Sequence, residues 1–253
     1  MLTTEKIGRV VVVTLCRPPV NAINSEWIDR FSEVLDGLDG RQDVTVLHIR
    51  SGLKVFCAGM DLQQIRNAFA GSDGPDAMVA CVGALQRLYA RLERLPQVTV
   101  AEIGAAAMGG GLELALSCDL RVAARETTLG LPETRLGLLP GAGGTQRLTN
   151  LCGRGVADRL ILGAEIVDGA KALELGIVQW AVAGERLAAW TGDLVARLAE
   201  MPREALALAK QCIAAQADAG RDGFAEELEA TRRLLDNPET RKRVAGFLDR
   251  SRK

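Results

Sequence analysis

The sequence predicts an α/β protein, a strand-and-helix core followed by an all-helical C-terminal region. Three observations predict it. Short runs rich in β-branched residues alternate with helical patterns through most of the chain. Strand signals stop near Leu187, and four helical segments then follow one another. The length, 253 residues with 48% apolar side chains, suits one large core with a smaller appendage. The expected division is a core over 1–190 and a helical region over 191–253.

The elements follow in order. Arg9 to Leu15, RVVVVTL, reads as a strand, as does Val44 to Ser51, VTVLHIRS. Val98 to Ile103 and Asp119 to Ala124 are two more strands. Between them, Ser25 to Leu38 carries a helical apolar period behind Asn24 or Ser25 as cap. A second helix spans Asp76 to Leu95 and must stop before Pro96. The turn formers of AGSDGPD precede it and predict a surface loop. In the last part, LAAWTGDLVARLAE, PREALALAKQCIAAQ, GFAEELEATRRLLD and PETRKRVAGFLDR are four helices, punctuated by Pro202, Gly220 to Gly223 and Pro238. Pro202 and Pro238 stand where a first helical turn tolerates proline.

Composition removes several function classes. The net charge is −1, so no global field draws the chain to nucleic acid or an anionic membrane. The basic clusters KRV and RSRK near the C-terminus lie among acids and read as a solvated face. The uncharged stretch Ile103 to Leu112 is too short to span a bilayer. MLTTEKIGR lacks an apolar secretion core. Six cysteines are scattered without a C-x-x-C pair, which predicts reduced thiols in the cytoplasm rather than disulfides or a zinc site. The single histidine, His48, sits in a strand and reads as structural, which argues against histidine triads and multi-histidine metal sites.

Two carboxylates stand out because they lie in apolar company, where an ionised group is costly unless something uses it. Glu113 closes GGGLE, in the first turn of a helix that opens on glycines behind a strand. Such a turn presents unpaired backbone N–H groups. Glu133 follows Pro132 among Leu129, Leu131, Leu136, Leu138 and Leu139. A third segment, FCAGMDL from Phe56 to Leu62, has a small-residue turn where a ligand can approach the backbone. Two carboxylates can hold a water and divide acid and base duty, and two loop N–H groups can polarise a carbonyl oxygen. No G-x-S-x-G, Walker A or post-strand G-x-G-x-x-G is present, so a Rossmann dehydrogenase is rejected. The glycines of PGAGGTQR read as a turn and helix cap. The bland alternative is a buried Glu113 tied to Arg135 or Arg121.

FCAGMDL, MGGGLELALSCDLRVAA and LPETRLGLLPGAGGTQRL together closely resemble the enoyl-CoA hydratase/isomerase, or crotonase, family. RPPVNAIN and RKRVAGFLDR extend the resemblance over nearly the whole chain. It implies a repeated ββα spiral with a C-terminal helical region, assembled as a homotrimer or dimer of trimers. It implies Glu113 and Glu133 as catalytic residues, and the N–H groups of Ala58 and Gly110 as the oxyanion hole. It places coenzyme A along Ala58, Gly59, Met60, Asp61 and Leu62, with an acyl pocket partly walled by Arg66 to Met78. The substrate would be an acyl-CoA thioester, with no separate cofactor, metal, nucleic acid or membrane partner. Three departures from the family pattern are IGAAAMGGG, Gln63 and Gln64 in place of a basic residue, and a shortened RPPVNAIN.

Hydration of a trans-2-enoyl-CoA is the expected reaction, since both glutamates are retained. Double-bond isomerisation or decarboxylation of a related acyl-CoA is the rival on the same fold. A non-catalytic acyl-CoA binder would be expected to lose a glutamate or the oxyanion turn.

Overall fold

A computed structural model describes residues 1–250, and Ser251 to Lys253 of the basic RSRK cluster lie outside the described residues. The chain opens with strands β1 (Leu2–Ile7) and β2 (Val10–Leu15), joined through Gly8 at φ +59°. Then come α1 (Ser25–Asp36), β3 (Val46–Ser51), α2 (Leu62–Ala68), α3 (Gly74–Arg94), β4 (Val98–Ile103), β5 (Ala107–Met108) and α4 (Gly110–Leu116). β6 (Leu120–Ala124) and β7 (Thr128–Gly130) lead into a 3₁₀ turn, Pro132–Leu136. α5 (Gly144–Cys152) and α6 (Arg154–Ala157) run into a π-helical turn, Asp158–Leu162. β8 (Ile166–Asp168), α7 (Gly169–Glu174) and β9 (Trp180–Val182) precede the four late helices α8 (Gly184–Ala199), α9 (Arg203–Ala215), α10 (Gly223–Asp236) and α11 (Pro238–Arg250).

The large sheet has the order β1-β2-β3-β4-β6-β9, antiparallel at its β1–β2 edge and parallel elsewhere. A small sheet orders β5-β7-β8, and the isolated bridges Ile23–Met60 and Cys57–Ala107 lie outside the named strands. A repeating path results. A long strand in the large sheet is followed by a short extended contact, and then by a helix or turn. β2, Ile23 and α1 make one such unit; β3, Cys57 to Met60 and α2 the next; β4, β5 and α4 the third; β6, β7 and the 3₁₀ turn the fourth. This is the ββα spiral that the family resemblance implies.

Local chemistry sets the element ends. Asn24 caps α1, its side chain accepting from the Trp27 N–H at 2.9 Å. α3 stops at Arg94 because Leu95, placed before Pro96, is forced to an extended ψ of 137°. α3 starts two residues earlier than its apolar period suggests, since Gly74 and Pro75 of the AGSDGPD stretch already form its first turn.

One face of the large sheet packs on α1, α3 and α4 through Leu15, Leu47, Ile49, Trp27, Phe31, Leu85 and Leu112. The other face, Val10, Val12, Val46, Val98, Val100 and Val122, is covered by Leu187, Leu194, Val195 and Leu198 of α8. Each such side chain contributes ~1.5–3 kcal/mol on burial. The expected boundary after residue 190 therefore cuts through a helix that belongs to the core. The amphipathic period of α8 is the same whether it covers a sheet or joins a bundle, so only packing distinguishes them. α9 still packs Leu206 against this face. β1 was not foreseen either: LTTEKI is mostly exposed and is held by ladder bonds to β2 rather than by an apolar face. His48 is buried in β3, its Nε2 3.1 Å from Glu102 Oε2 in β4, as suits a structural histidine.

Candidate active site

α4 begins at the glycine turn. Gly109 holds φ +51°, and its N–H donates to the Gly130 carbonyl of β7 at 3.0 Å. A side chain at Gly109 would meet Glu133 Oε1 at 2.8 Å, so glycine is required both by the backbone and by the carboxylate beside it. The next residue, Gly110, opens the helix, and its N–H has no backbone acceptor among the described residues. Gly111 packs its Cα against the Cys57 backbone: an added Cβ would stand 2.3 Å from the Cys57 carbonyl oxygen. That close approach brings the Phe56–Met60 segment onto the start of α4.

Backbone bonds on both sides fix this segment, among them four. Cys57 N–H donates to Ala106, Ala58 N–H to Val20, Ile23 N–H to Gly59, and Asp61 N–H to Ile23. The Met60 N–H has no acceptor among the described residues, and it sits beside Gly110, 3.8 Å from where a Cβ on that glycine would be. The Ala58 N–H is therefore not a free donor, because the Val20 carbonyl holds it at 3.0 Å. The unpaired N–H groups that the fold brings together are those of Met60 and Gly110.

Glu113, one turn into α4, is 2% exposed. Neither Arg121 nor Arg135 holds it. Arg121 donates to the carbonyls of Ile177, Ala115 and Cys118, and Arg135 to that of Ala164. The partner of Glu113 is the Gly144 N–H, which donates to Oε1 at 2.7 Å from the first turn of α5. The PGAGGTQR glycines are thus the expected turn and cap, and they also seat this carboxylate. Burial pushes the Glu113 carboxyl up to about 7; the Gly144 N–H opposes the rise and the charge of Glu133 adds to it. Glu133 follows Pro132 in the 3₁₀ turn, half-buried, with Oε2 lacking a hydrogen-bond partner among the described residues. Burial raises its carboxyl as well. Two carboxyls with raised proton affinity thus lie within electrostatic reach of each other, an arrangement in which one can be protonated while the other is ionised.

The family described as enoyl-CoA hydratase/isomerase matches residues 5–252. The chain belongs to the enoyl-CoA hydratase/isomerase family. It is similar to the putative enoyl-CoA hydratase/isomerase YngF of Bacillus subtilis, 39% identical over 71% of this chain and 68% of that protein. It is also similar to the short-chain-enoyl-CoA hydratase of Clostridium acetobutylicum, 34% identical over 83% of this chain and 79% of the relative. Among solved structures, an enoyl-CoA hydratase from Bacillus anthracis superposes with a TM-score of 0.90 at 28% identity, covering 98% of this chain and 96% of the other. The fold is that of this family, the crotonase fold.

Within that family frame, the remaining expected contacts divide. Gly59, at φ +92°, and Met60 line the approach between the two loops. The Asp61 side chain is committed to structure: it caps α2 through the Gln63 N–H at 2.8 Å and pairs with Arg17 at 2.7 Å. These contacts, the backbone N–H first, hold its carboxyl below the usual range. Leu62 is exposed at the head of α2. The Arg66–Met78 stretch forms the end of α2, an exposed turn with Phe69 in the open, and the start of α3. Gln63 and Gln64 bond to Asn67 and Ser25. The RPPVNAIN segment braces the loop that carries Phe56 to Met60. Asn21, at φ +51° and fully buried, donates to the carbonyls of Val55 and Phe56. Among the described residues, no cluster of three or more His, Cys, Asp or Glu could hold a metal ion, and no helix is long and apolar enough to cross a membrane.

Three participants escaped the sequence reading: Met60 as a donor, Gly144 as the seat of Glu113, and Tyr89. The Tyr89 hydroxyl donates to the Gly110 carbonyl at 2.8 Å from the buried face of α3. As the only tyrosine of the chain, placed on the apolar face of a helix, it carried a signal: a buried phenol needs a partner.

Proposed function

We propose that the protein is an enoyl-CoA hydratase, adding water syn across the double bond of a trans-2-enoyl-CoA to give a 3-hydroxyacyl-CoA. The observation that carries this reading is the pair Glu113 and Glu133, both of raised proton affinity, beside the unpaired N–H groups of Met60 and Gly110. The thioester oxygen accepts from those two N–H groups, which stabilise the enolate-like charge that develops there. Both glutamates hold the water. As its oxygen bonds to C3, a glutamate carboxylate takes its proton, and Glu133 delivers a proton to C2. The elements of water are added with no net change in the enzyme's protonation. The reaction needs no metal or separate cofactor.

Retention of two glutamates favours hydration over double-bond isomerisation or decarboxylation, which can run with one. We further propose a cytoplasmic homotrimer or dimer of trimers. Ile213, Phe224, Leu228 and Leu235 leave an exposed apolar face on α9 and α10, which a second copy would cover.

The deciding experiment is a panel of trans-2-enoyl-CoAs of different length and branching, followed by loss of the enoyl thioester absorbance. Product analysis separates a 3-hydroxyacyl-CoA from a shifted double bond. A panel that yields only isomerised or decarboxylated thioester refutes the hydratase reading.

A further inference from the structure

α3 turns one face toward two different parts of the site. Tyr89 and Glu93 stand four residues apart on it and so point the same way. The Tyr89 hydroxyl holds the Gly110 carbonyl at the mouth of α4. Glu93 holds Arg147 of α5 by a two-pronged pair, Nε to Oε1 at 2.9 Å and Nη2 to Oε2 at 2.8 Å. The Arg147 guanidinium lies 6.0 Å from the Tyr89 ring centroid and donates from Nη1 to the Ala142 carbonyl at 2.7 Å. It presses so closely on Gly143, φ +108°, that a Cβ there would meet Nη1 at 2.1 Å. The opposite side of the same loop touches Glu113: a Cβ on Gly144 would stand 3.0 Å from Oε1. Residues Ala142 to Gly144 are thus gripped between an arginine outside and a glutamate inside.

We propose that Glu93 and Arg147 are positioning residues for Glu113, a charge-paired clamp that fixes the loop seating its carboxylate and sets how readily that carboxylate ionises. This rests on the hydratase reading only for the role of Glu113 in turnover. The charged groups acting on Glu113 are Glu133 from the 3₁₀ turn and Arg147 from α5; Arg147 is paired with Glu93 of α3, and Tyr89 of α3 has Glu113, Arg147 and the Cys57 and Cys118 thiols about it. Burial pushes both thiols up to about 12, so they stay neutral, and burial keeps Tyr89 neutral. Glu133 disfavours ionisation of Glu113, and Arg147 favours it. Glu93 neutralises part of the arginine charge. Removing Arg147 must raise the proton affinity of Glu113, and removing the Glu93 charge must lower it. A loop merely loosened by either change would move the carboxyl the same way in both.

The experiment compares Arg147→Gln and Glu93→Gln with the wild type. Two readouts are taken: the acid limb of the kcat–pH profile, and the infrared carboxyl band of protonated Glu113, identified by its absence in Glu113→Gln. The expected result is a limb and a band midpoint that move to higher pH in Arg147→Gln and to lower pH in Glu93→Gln. Half a pH unit either way would be roughly threefold in rate on that limb. Shifts of the same sign, or none, overturn the clamp. If Arg147→Gln does not fold, Glu93→Gln decides alone, since Glu93 is half exposed: a downward shift supports, and an unmoved or raised midpoint overturns. Arg147→Lys keeps the charge but loses the fork, so its kcat should fall with the limb unmoved. If no enoyl-CoA turns over, the hydratase reading fails, while the infrared midpoints still judge the clamp.

Discussion

Gly111→Ala tests whether the two proposed oxyanion donors, the Met60 and Gly110 N–H groups, are held together by one backbone contact. The added Cβ would stand 2.3 Å from the Cys57 carbonyl oxygen, 2.7 Å from its Cβ and 2.8 Å from its carbonyl carbon. Ordinary contact between such atoms begins near ~3.5 Å, so α4 and the Cys57 segment must part by about 1 Å. No rotamer can absorb this, because the obstructing atoms are mainly backbone. One partner carries the Met60 N–H, and the other carries the Gly110 N–H and Glu113. A misplacement of about 1 Å can cost ~10²-fold in rate, and loss of one oxyanion donor ~10²–10³-fold. Overpacking costs ~1–3 kcal/mol of stability, offset by about 1 kcal/mol from the better helix propensity of alanine. The expected variant is therefore folded, destabilised by at most about 2 kcal/mol and slowed about 10²-fold in kcat. The assay is the loss of enoyl thioester absorbance with the best thioester of the panel, run beside thermal unfolding. Gly169→Ala is the control, since its Cβ would collide with the Ala124 carbonyl oxygen at 1.9 Å, in the turn between β8 and α7. It should lose stability without the same loss of kcat. A folded Gly111→Ala enzyme within threefold of wild-type kcat would refute the reasoning.

Glu133→Gln keeps the shape but cannot exchange a proton, so kcat should fall ~10²–10⁴-fold with KM little changed; activity within tenfold of wild type removes the assigned role. Glu113→Gln carries a stability sign as well. The carboxyl is raised from 4.5 to about 7 on folding, so its contribution is fully present below pH 4.5 and is lost as pH rises through 7. By pH 8 the ionised, buried group costs on the order of 3 kcal/mol, and glutamine, still able to accept from Gly144, removes that cost. Denaturant titration should show the variant gaining on wild type between pH 5 and pH 8, and an unchanged difference across that range contradicts the burial argument. Chelators and added NAD should leave turnover unaffected; activity abolished by EDTA and restored by a divalent metal overturns the metal-free chemistry. Sedimentation at micromolar concentration should show trimers or hexamers, and a stable monomer refutes the proposed assembly.

The long elements were written in local sequence. VVVVTL, VTVAEI and LRVAA are strands because β-branched residues cluster there, and Asn24, Pro96, Pro202 and Pro238 mark where helices start or stop through their own backbone preferences. Glu113 and Glu133 were legible as carboxylates in apolar company. What they touch was not. Glu113 is seated by an N–H thirty-one residues away, and the arginine whose charge favours its ionisation is Arg147 rather than Arg121 or Arg135, which are closer in sequence. Ala58 and Met60 are two residues apart on the same turn, yet Val20 takes the N–H of the first and leaves that of the second free. The two- and three-residue strands β5, β7, β8 and β9 are too short to carry a period, and they exist because neighbouring turns of the spiral pair with them. Propensity is decided within a few residues of a position, whereas the partner of a given N–H is decided by which distant carbonyl the packing brings to it. In this protein the carboxylates belong to the first kind of information, and the donors and the clamp that make them a site belong to the second.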